Sequence, residues 1–253
     1  MQKKALITGA TSGIGKAAAE ALARKGYDLI ITGRRRDRLY ETEREITTKY
    51  PSVKIMPLNF DVRDNSEVEK AVDSLPSEFK NIDVLINNAG LAAGLNKIQD
   101  GVIDDWERMI DTNIKGLLYI TRKIVPTMIE RGKGHIVNIG SIAGKEVYEN
   151  GNVYCATKHA VDALTKAMRI DMVKHGIKVT GICPGMVETE FSSVRLKGDE
   201  VGAKAVYKGL KPLTAEDVAD VIAYVVEMPP HVTINDLVIM PTAQASAAIT
   251  NRI

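Results

Sequence analysis

Ala5-Leu6-Ile7-Thr8-Gly9-Ala10-Thr11-Ser12-Gly13-Ile14-Gly15, followed by Lys16-Ala17-Ala18-Ala19-Glu20, is the stretch of sequence that decides the fold. A short apolar run leads directly into a glycine-rich turn, and the turn leads into a helical pattern. Glycines in such a turn permit a tight bend, let backbone amides approach a pyrophosphate, and bring a helix N-terminus to face that anion. The spacing is Gly-x3-Gly-x-Gly rather than Gly-x-Gly-x-x-Gly. The stretch predicts nucleotide binding, and the alternative is a purely structural turn.

The same alternation of apolar runs and helical patterns continues to the end of the chain. Strands are predicted at Ala5–Thr8, Asp28–Thr32, Val53–Leu58, Val84–Ile86, His135–Ile139, Lys178–Ile182 and Asp236–Met240. Helices are predicted at Gly13–Lys25, Arg36–Lys49, Asn65–Leu75, Asp104–Arg131, Val153–His175 and Ala215–Glu227. This pattern indicates an α/β fold, a doubly wound parallel sheet of the Rossmann type with helices on both faces and ligands bound beyond the strand C-termini.

Composition narrows the classes of protein and partner. The chain has 253 residues, of which 45% are apolar, and we expect one domain over residues 1–253. A net charge of +2 gives no long-range field for nucleic acid or an anionic membrane surface. Two cysteines and four histidines form no metal-ligand pattern, which predicts no metal and a reducing compartment. No apolar run is long enough for a secretory signal or a membrane span, so we expect a cytoplasmic protein.

The end of the second predicted strand bears on cofactor choice. The sequence there is Thr32-Gly33-Arg34-Arg35-Arg36, with Gly33 where an NAD-binding acid is expected. Three arginines at a helix start are unfavourable for the helix dipole unless an anion lies nearby. The 2′-phosphate of NADP suits Arg34 and Arg35, with Arg36 solvated. The alternative is a fully solvated run of charges.

Three further polar positions are candidates for the cofactor site. Asp61-Val62, after the third strand, is placed to receive the adenine, and Asn87-Asn88-Ala89-Gly90, after the fourth, to line the cofactor. The second group is equally consistent with a polar turn. Asn113 lies within an otherwise apolar helix, where a buried amide requires partners. It is a candidate functional residue or a satisfied structural amide, and both readings are compatible.

Ser141, Tyr154 and Lys158 suggest carbonyl and alcohol redox chemistry. Tyr154 and Lys158 lie four residues apart on a predicted helix, so their side chains leave one face. A free phenol has a pKa of about 10, and a neighbouring ammonium favours the phenolate needed for acid/base work near neutrality. We expect Lys158 to supply much of that effect. Four of the eight tyrosines have Lys at i+4, but only Tyr154 also has a Ser thirteen positions earlier. Residues 140–158 alone leave catalysis and an ordinary amphipathic helix as alternatives.

Taken together, Thr8–Gly15, Asn87–Gly90, Asn113, Ser141, Tyr154, Lys158 and Pro184-Gly185 resemble the short-chain dehydrogenase/reductase family. The resemblance implies a single doubly wound domain, commonly a homotetramer. It implies that Tyr154 is the acid/base, that Ser141 holds the substrate oxygen, that Lys158 binds the nicotinamide ribose, and that Asn113 supports a water leading to Lys158. It also implies cofactor contacts from Gly9, Ser12, Gly13, Ile14, Gly15, Asp61, Val62, Asn88, Ala89, Gly90, Tyr154, Lys158, Pro184, Gly185, Val187 and Thr189.

A narrower resemblance connects the chain with NADP-dependent serine and 3-hydroxy acid dehydrogenases. It rests on Thr32–Arg35, Gly151–Tyr154, Thr189–Asp199, His231–Asn235 and Met240-Pro241. A carboxylate substrate requires a cationic partner, and Arg195 or Lys197 is a candidate within a predicted substrate lid at residues 189–211. Either residue is alternatively a solvated charge of the lid.

The resulting hypothesis is reversible NADP-linked redox of the 3-hydroxyl of a small hydroxy acid, such as serine or a relative. The alternative enzyme is a broader carbonyl or 3-oxoacyl reductase. The alternative outside enzymes is a regulator that binds NADP without reacting, which has no need of Ser141, Tyr154 and Lys158 together.

Overall fold

The carboxyl ends of seven parallel strands meet along one edge of a single sheet, and this edge positions the site. The computed structural model describes residues 2–253. The strands are β1 (Lys4–Ile7), β2 (Asp28–Gly33), β3 (Ile55–Asn59), β4 (Val84–Asn87), β5 (Gly134–Ile139), β6 (Ile177–Pro184) and β7 (Asp236–Ile239). Their order is β3-β2-β1-β4-β5-β6-β7, and every neighbouring pair is parallel. The predicted doubly wound sheet is confirmed.

Nine α-helices connect the strands within the described residues. They are α1 (Gly13–Arg24), α2 (Arg36–Lys49), α3 (Asn65–Asp73), α4 (Ile103–Ile110), α5 (Leu117–Arg131), α6 (Asn152–Met172), α7 (Phe191–Arg195), α8 (Glu200–Ala205) and α9 (Ala215–Val226). The chain adds β2 and β3 on one side of β1 and then β4 to β7 on the other side. That reversal opens a crevice at the carboxyl edge, where ligands bind in such folds.

The two faces of the sheet are packed by different helices because successive strand residues point to opposite sides. Ala5 and Ile7 belong to one buried cluster, which includes Leu22 of α1 and Ile222 of α9. Leu6 belongs to the other cluster, with apolar residues of α3 and α5. Burial of each large aliphatic side chain stabilises the fold by roughly 1.5–3 kcal/mol. The two layers hold the strands in place below the crevice.

A third apolar cluster lies beyond the strand ends. It contains Leu91, Met109, Ala143, Tyr154 and Cys155, with Phe191 packed against it. The region around Tyr154 therefore has its own apolar support outside the two main cores.

Two predicted segments differ from the observed structure. The predicted helix Asp104–Arg131 is divided into α4 and α5 by a π-helical turn, Asp111–Gly116. In this turn the side chain of Asn113 pairs with the backbone of Leu91. The stretch predicted as irregular, Phe191–Lys211, contains α7 and α8. Helix α8 begins where the Asp199 carboxylate accepts a hydrogen bond from the amide of Gly202, a local cap.

Candidate active site

A cavity of about 360 Å³ opens at the carboxyl edge between the glycine-rich turn and the segment after β6. Most of the residues predicted to bind cofactor line it: Gly9, Ser12, Gly13, Ile14, Arg34, Arg35, Asp61, Val62, Asn88, Ala89, Gly90, Tyr154, Lys158, Pro184, Gly185, Val187 and Thr189. Ser141 also lines this cavity. Gly15, Asn113 and Arg195 are not among its lining residues, and Arg195 lines a smaller cavity that shares Tyr154 with it. The fold thus gathers residues from six separate loops into one site.

The glycine-rich turn is held against the loop after β4. The side-chain amide of Asn88 donates to the carbonyls of Thr8 at 2.9 Å and Gly9 at 3.2 Å. In return, the Thr8 hydroxyl accepts the backbone amides of Asn88 and Ala89. A Cβ on Gly15 would lie 2.3 Å from the carbonyl oxygen of Gly9, so only glycine permits this approach. Asn88 therefore shapes the turn, and the loop is more than a generic polar turn.

The start of α1 is suited to a pyrophosphate. The first amides of a helix have no intrahelical acceptors, and the side chain of the N-cap residue Ser12 accepts none of them. Ser12, Gly13 and Ile14 line the cavity, and Gly9 and Gly13 have positive φ angles of 70° and 52°. Unsatisfied donors beside a positive helix terminus match the chemistry of a phosphate anion.

Arg34 and Arg35 have different surroundings. The Arg35 guanidinium donates to Thr11 and Ser12, and its third nitrogen donates to Glu190 at 2.7 Å. Arg34 lies 3.6 Å from Asp61, a carboxylate already engaged by Arg63. Burial raises the pKa of Asp61, but the hydrogen bonds from Arg63 together with the charges of Arg34 and Arg63 hold that pKa below its usual range. Arg36 is packed over the exposed ring of Tyr40, away from the cavity lining.

The structure brings Ser141, Tyr154 and Lys158 to one cavity. Ser141 follows β5, and Tyr154 and Lys158 lie one turn apart near the start of α6. The turn after Ser141 packs directly on α6, because a Cβ on Gly144 would lie 2.6 Å from the Lys158 carbonyl oxygen. All three side chains are buried, with exposed fractions of 9% or less. The structure therefore brings the three groups to the same wall of the cavity.

The electrostatics differ from the prediction for Lys158. Burial raises the pKa of Tyr154, and Tyr148 raises it further; the hydrogen bond with Ser141 and the charge of Arg195 lower it in part. The Lys158 ammonium donates to the Ile139 carbonyl at 2.9 Å, and burial lowers the pKa of Lys158 to about 8. The expectation that Lys158 supplies much of the lowering of the Tyr154 pKa is not met, because Ser141 and Arg195 are the groups that lower it. Its charge is directed at a backbone carbonyl and is itself disfavoured by burial.

Asn113 is a satisfied buried amide. Its oxygen accepts the amide of Leu91 at 2.8 Å, and its nitrogen donates to the Leu91 carbonyl at 2.8 Å and to the Thr157 hydroxyl at 3.0 Å. Thr157 in turn donates to the carbonyl of Tyr154. Asn113 thus links the loop after β4 to the helical turn that carries Tyr154. Its oxygen and the Lys158 ammonium both lie close to Gly90.

Arg195 and Lys197 have different partners in the structure. The Arg195 guanidinium carbon lies 5.4 Å from the ring centre of Tyr148 and 5.5 Å from that of Tyr154. Its Nε donates to the Gly94 carbonyl and one terminal nitrogen donates to Tyr148. Lys197 instead contacts the buried carboxylate of Asp105 at 2.8 Å. Of the two candidates, only Arg195 lies at the phenol, and Lys197 is committed elsewhere.

Several residues of the site were not predicted. Thr11, Phe60, Leu91, Thr112, Glu190, Phe191 and Val194 line the cavity, and Tyr148 orients Arg195. The signal for Glu190 and Phe191 was their position in the predicted lid. Tyr148 carried no signal, because nothing in the sequence pairs it with Arg195.

In residues 2–253, no group of three or more His, Cys, Asp or Glu side chains is arranged to hold a metal ion. Over the same residues, no helix combines the length and apolarity needed to cross a membrane.

Comparison with known proteins gives consistent matches. The family model described as short chain dehydrogenase matches residues 3–199. Sulfoacetaldehyde reductase 2 of Chromohalobacter salexigens is 46% identical over 244 residues, covering 96% of each chain. The NADP-dependent 3-hydroxy acid dehydrogenase YdfG of Escherichia coli is 44% identical over 245 residues, covering 96% of this chain and 97% of the relative.

Solved structures agree with these matches. The closed form of a serine dehydrogenase complexed with NADP+ superposes with a TM-score of 0.92 at 43% identity, covering 99% of both chains. The serine dehydrogenase of Escherichia coli superposes with a TM-score of 0.82 at 39% identity. A family match over most of the chain, with relatives this similar over nearly their whole length, shows that the chain belongs to the short-chain dehydrogenase family.

Proposed function

We propose that this protein is an NADP(H)-dependent oxidoreductase that interconverts the 3-hydroxyl and 3-oxo groups of a small carboxylic acid. The observation that carries the proposal is Arg195, whose guanidinium lies 5.5 Å from the ring of Tyr154. Contacts with Gly94 and Tyr148 engage two of its nitrogens and leave the third without a hydrogen-bond partner in the described residues. A fixed guanidinium with free donors suits a carboxylate.

NADP fits the cofactor side of the cavity. The free amides at the start of α1 suit the pyrophosphate, and Arg34 has free donors for a 2′-phosphate. At the end of β2, Gly33 occupies the position where an NAD-binding site has a carboxylate. Relatives named as NADP-dependent and a structure complexed with NADP+ support the same choice. When bound, NADP(H) supplies or accepts the hydride of the reaction.

Tyr154 carries the proton. In the reducing direction its hydroxyl donates a proton to the carbonyl oxygen, and in the oxidising direction its phenolate accepts the proton of the hydroxyl. Burial, which raises the pKa of Tyr154, keeps the phenol protonated at neutral pH, and this is the form that donates the proton in the reducing direction. Ser141 donates to the same substrate oxygen and, with Arg195, offsets part of that shift. The groups that hold the substrate therefore also make the phenol more acidic.

Lys158 and Asn113 support the positions of the cofactor and of Tyr154. Lys158 is buried at the cofactor side and is cationic below a pKa of about 8. It is placed to hold the nicotinamide ribose, the role that the family resemblance implies. Asn113 fixes the loop at Leu91 and the turn of Tyr154 through Thr157. We propose that it positions Tyr154 and supports a water near Lys158.

A sulfonate is the second candidate substrate. The guanidinium of Arg195 binds a sulfonate as readily as a carboxylate, because both present several oxygens that share negative charge. A relative named sulfoacetaldehyde reductase is 46% identical to this chain. The corresponding reaction is the reduction of a short sulfonated aldehyde to its alcohol.

A substrate panel with the purified protein tests the proposal. We expect NADPH consumption with 3-oxo acids and sulfonated aldehydes, and NADP+ reduction with 3-hydroxypropionate, serine and 2-hydroxyethanesulfonate. Acyl thioesters test the broader reductase. Tyr154→Phe should bind NADPH normally and lose turnover. Tight NADPH binding without turnover on any carbonyl compound would support the non-catalytic regulator instead.

We also propose that residues 1–253 act as a single domain and that four copies associate. Family resemblance supports the homotetramer. The edge strand β7 presents Val238, 47% exposed, and Ile249 of the tail is 65% exposed. Light scattering on the purified protein measures the mass directly, and a monomer mass contradicts the homotetramer.

A further inference from the structure

A three-residue ionic bridge joins the cofactor side of the cleft to helix α7. The Glu190 carboxylate accepts hydrogen bonds from Arg35 at 2.7 Å and from Arg38. Glu190 immediately precedes α7, whereas Arg35 and Arg38 lie at the start of α2. The bridge therefore crosses from the loop after β2 to the segment after β6, over the mouth of the cavity.

Arg35 donates four side-chain hydrogen bonds, to Glu190 and to the glycine-rich turn. Its Nε and one terminal nitrogen donate to the Thr11 hydroxyl, and the same terminal nitrogen donates to the Ser12 hydroxyl at 2.7 Å. The remaining nitrogen donates to Glu190. Every nitrogen of Arg35 thus has a protein acceptor, and the residue fastens the glycine-rich turn to Glu190. A phosphate would find at most one N–H of Arg35 without an acceptor, on the nitrogen that donates to Glu190.

Arg34, in contrast, forms no side-chain hydrogen bond with the described residues. Its only ion-pair partner in the described residues is Asp61, at 3.6 Å, which is beyond a hydrogen bond. The Asp61 carboxylate is already paired with Arg63. The donors of Arg34 are therefore open to an anion at the cavity wall that they line.

The segment that Glu190 anchors also reaches the substrate side. Thr189 lies against Gly13 of the glycine-rich turn, with side-chain atoms 3.3 Å from where a Cβ on Gly13 would be. Phe191 packs edge-on to Tyr154 at 5.6 Å between ring centres. At the far end of α7, the amide of Gly94 donates to the carbonyl of Arg195. Helix α7 is five residues long, so an anchor at Glu190 constrains the position of Arg195.

We propose that Glu190 is a positioning residue that holds α7 closed over the bound cofactor through Arg35 and Arg38, and that Arg34 alone selects the 2′-phosphate. The inference rests on the proposed NADP site. The inference assigns different roles to two arginines that are adjacent in the sequence. Arg34 recognises the 2′-phosphate, and Arg35 slows the release of the cofactor. Loss of the bridge should speed the release of either cofactor, because the bridge does not contact the group that distinguishes them.

Stopped-flow fluorescence of NADPH and NADH release from the protein measures this directly. We expect Glu190→Gln to release both cofactors about three- to tenfold faster, a range set by two partly exposed charge pairs, with the NADPH/NADH preference unchanged. Arg35→Gln should also speed the release of both cofactors with the preference unchanged, and the effect of the double variant should be smaller than the sum of the two single effects, because the two side chains contact each other. Arg34→Gln should instead weaken NADPH about tenfold or more and leave NADH nearly unchanged.

Glu188→Gln is the matched control. Glu188 lies two residues earlier, is exposed, and forms no salt bridge in residues 2–253, so its release rates should match the wild type. Raised salt should accelerate release from the wild type more than from Glu190→Gln, because exposed ion pairs are screened. A merely structural role for Glu190 would not produce this difference in salt dependence.

Three results would overturn the inference. Unchanged release from Glu190→Gln would show that the bridge does not retain the cofactor. A selective effect of Glu190→Gln on NADPH would show that Glu190 acts at the phosphate. A selective loss of NADPH in Arg35→Gln would make Arg35 a phosphate ligand. Failure of the wild type to bind NADPH contradicts the proposed function instead, so the two failures are distinguishable.

Discussion

Replacing Arg195 with Gln should convert a site selective for anions into one that is indifferent to them. The guanidinium lies 5.4 and 5.5 Å from the rings of Tyr148 and Tyr154, with one nitrogen free for substrate. A hydrogen bond to a charged group contributes about 1.5–3 kcal/mol. At roughly 1.4 kcal/mol per factor of ten, its loss lowers kcat/KM for an anion by about 10- to 150-fold.

The substitution also removes a charge that lowers the pKa of Tyr154, which affects every substrate. A ratio separates the two effects. We therefore compare kcat/KM for 3-hydroxypropionate with kcat/KM for its uncharged methyl ester, because a change in the phenol acts on both and cancels. The ratio of anion to ester should fall by the full factor of about 10 to 150.

Lys197→Gln is the matched control, since it removes the same charge two residues away. Lys197 is paired with Asp105, and the anion/ester ratio should stay within about twofold of the wild type because its charge is already committed. An unchanged ratio in Arg195→Gln, or an equal fall in Lys197→Gln, would refute the assignment of Arg195 as the anion partner.

Three further predictions test the acid/base group, the core and the cofactor turn. Ser141→Ala removes a hydrogen bond that lowers the pKa of Tyr154, so the rise of the oxidation rate with pH should move to higher pH; a profile that stays in place or moves lower contradicts this. Burial lowers the pKa of His135 to about 3. The unfolded chain therefore binds a proton first as pH falls below about 6.5, and stability should drop by about 1.4 kcal/mol per pH unit towards pH 3. In urea unfolding experiments below about pH 6.5, the free energy of unfolding of His135→Gln should fall less steeply with decreasing pH than that of the wild type. Gly15→Ala places a Cβ 2.3 Å from the Gly9 carbonyl oxygen, so it should lower the free energy of unfolding by about 1–3 kcal/mol and weaken NADPH binding; wild-type stability together with wild-type affinity would refute the close-packing argument.

The sequence alone determined the fold and the identity of the main chemical groups. Alternating apolar runs and helical patterns are set by local periodicity, which the structure preserves within a few residues except where the predicted helix Asp104–Arg131 is divided and where α7 and α8 form in the stretch predicted to be irregular. The glycine-rich turn and the Ser141, Tyr154 and Lys158 set also depend on local spacing. Parallel strands bring such loops to one edge, so their meeting was predictable from topology.

Only the tertiary structure decided what each charge does. Arg34 and Arg35 are neighbours in sequence, yet Arg34 has only a long ion pair with Asp61 whereas Arg35 is hydrogen-bonded to Thr11, Ser12 and Glu190. The sequence did not distinguish Arg195 from Lys197, which contacts a buried carboxylate far along the chain. The balance of shifts at Tyr154 likewise depends on burial and on residues brought in from α7. Periodicity is a local property, whereas the partner of a charge and its distance from water are set by contacts between distant segments.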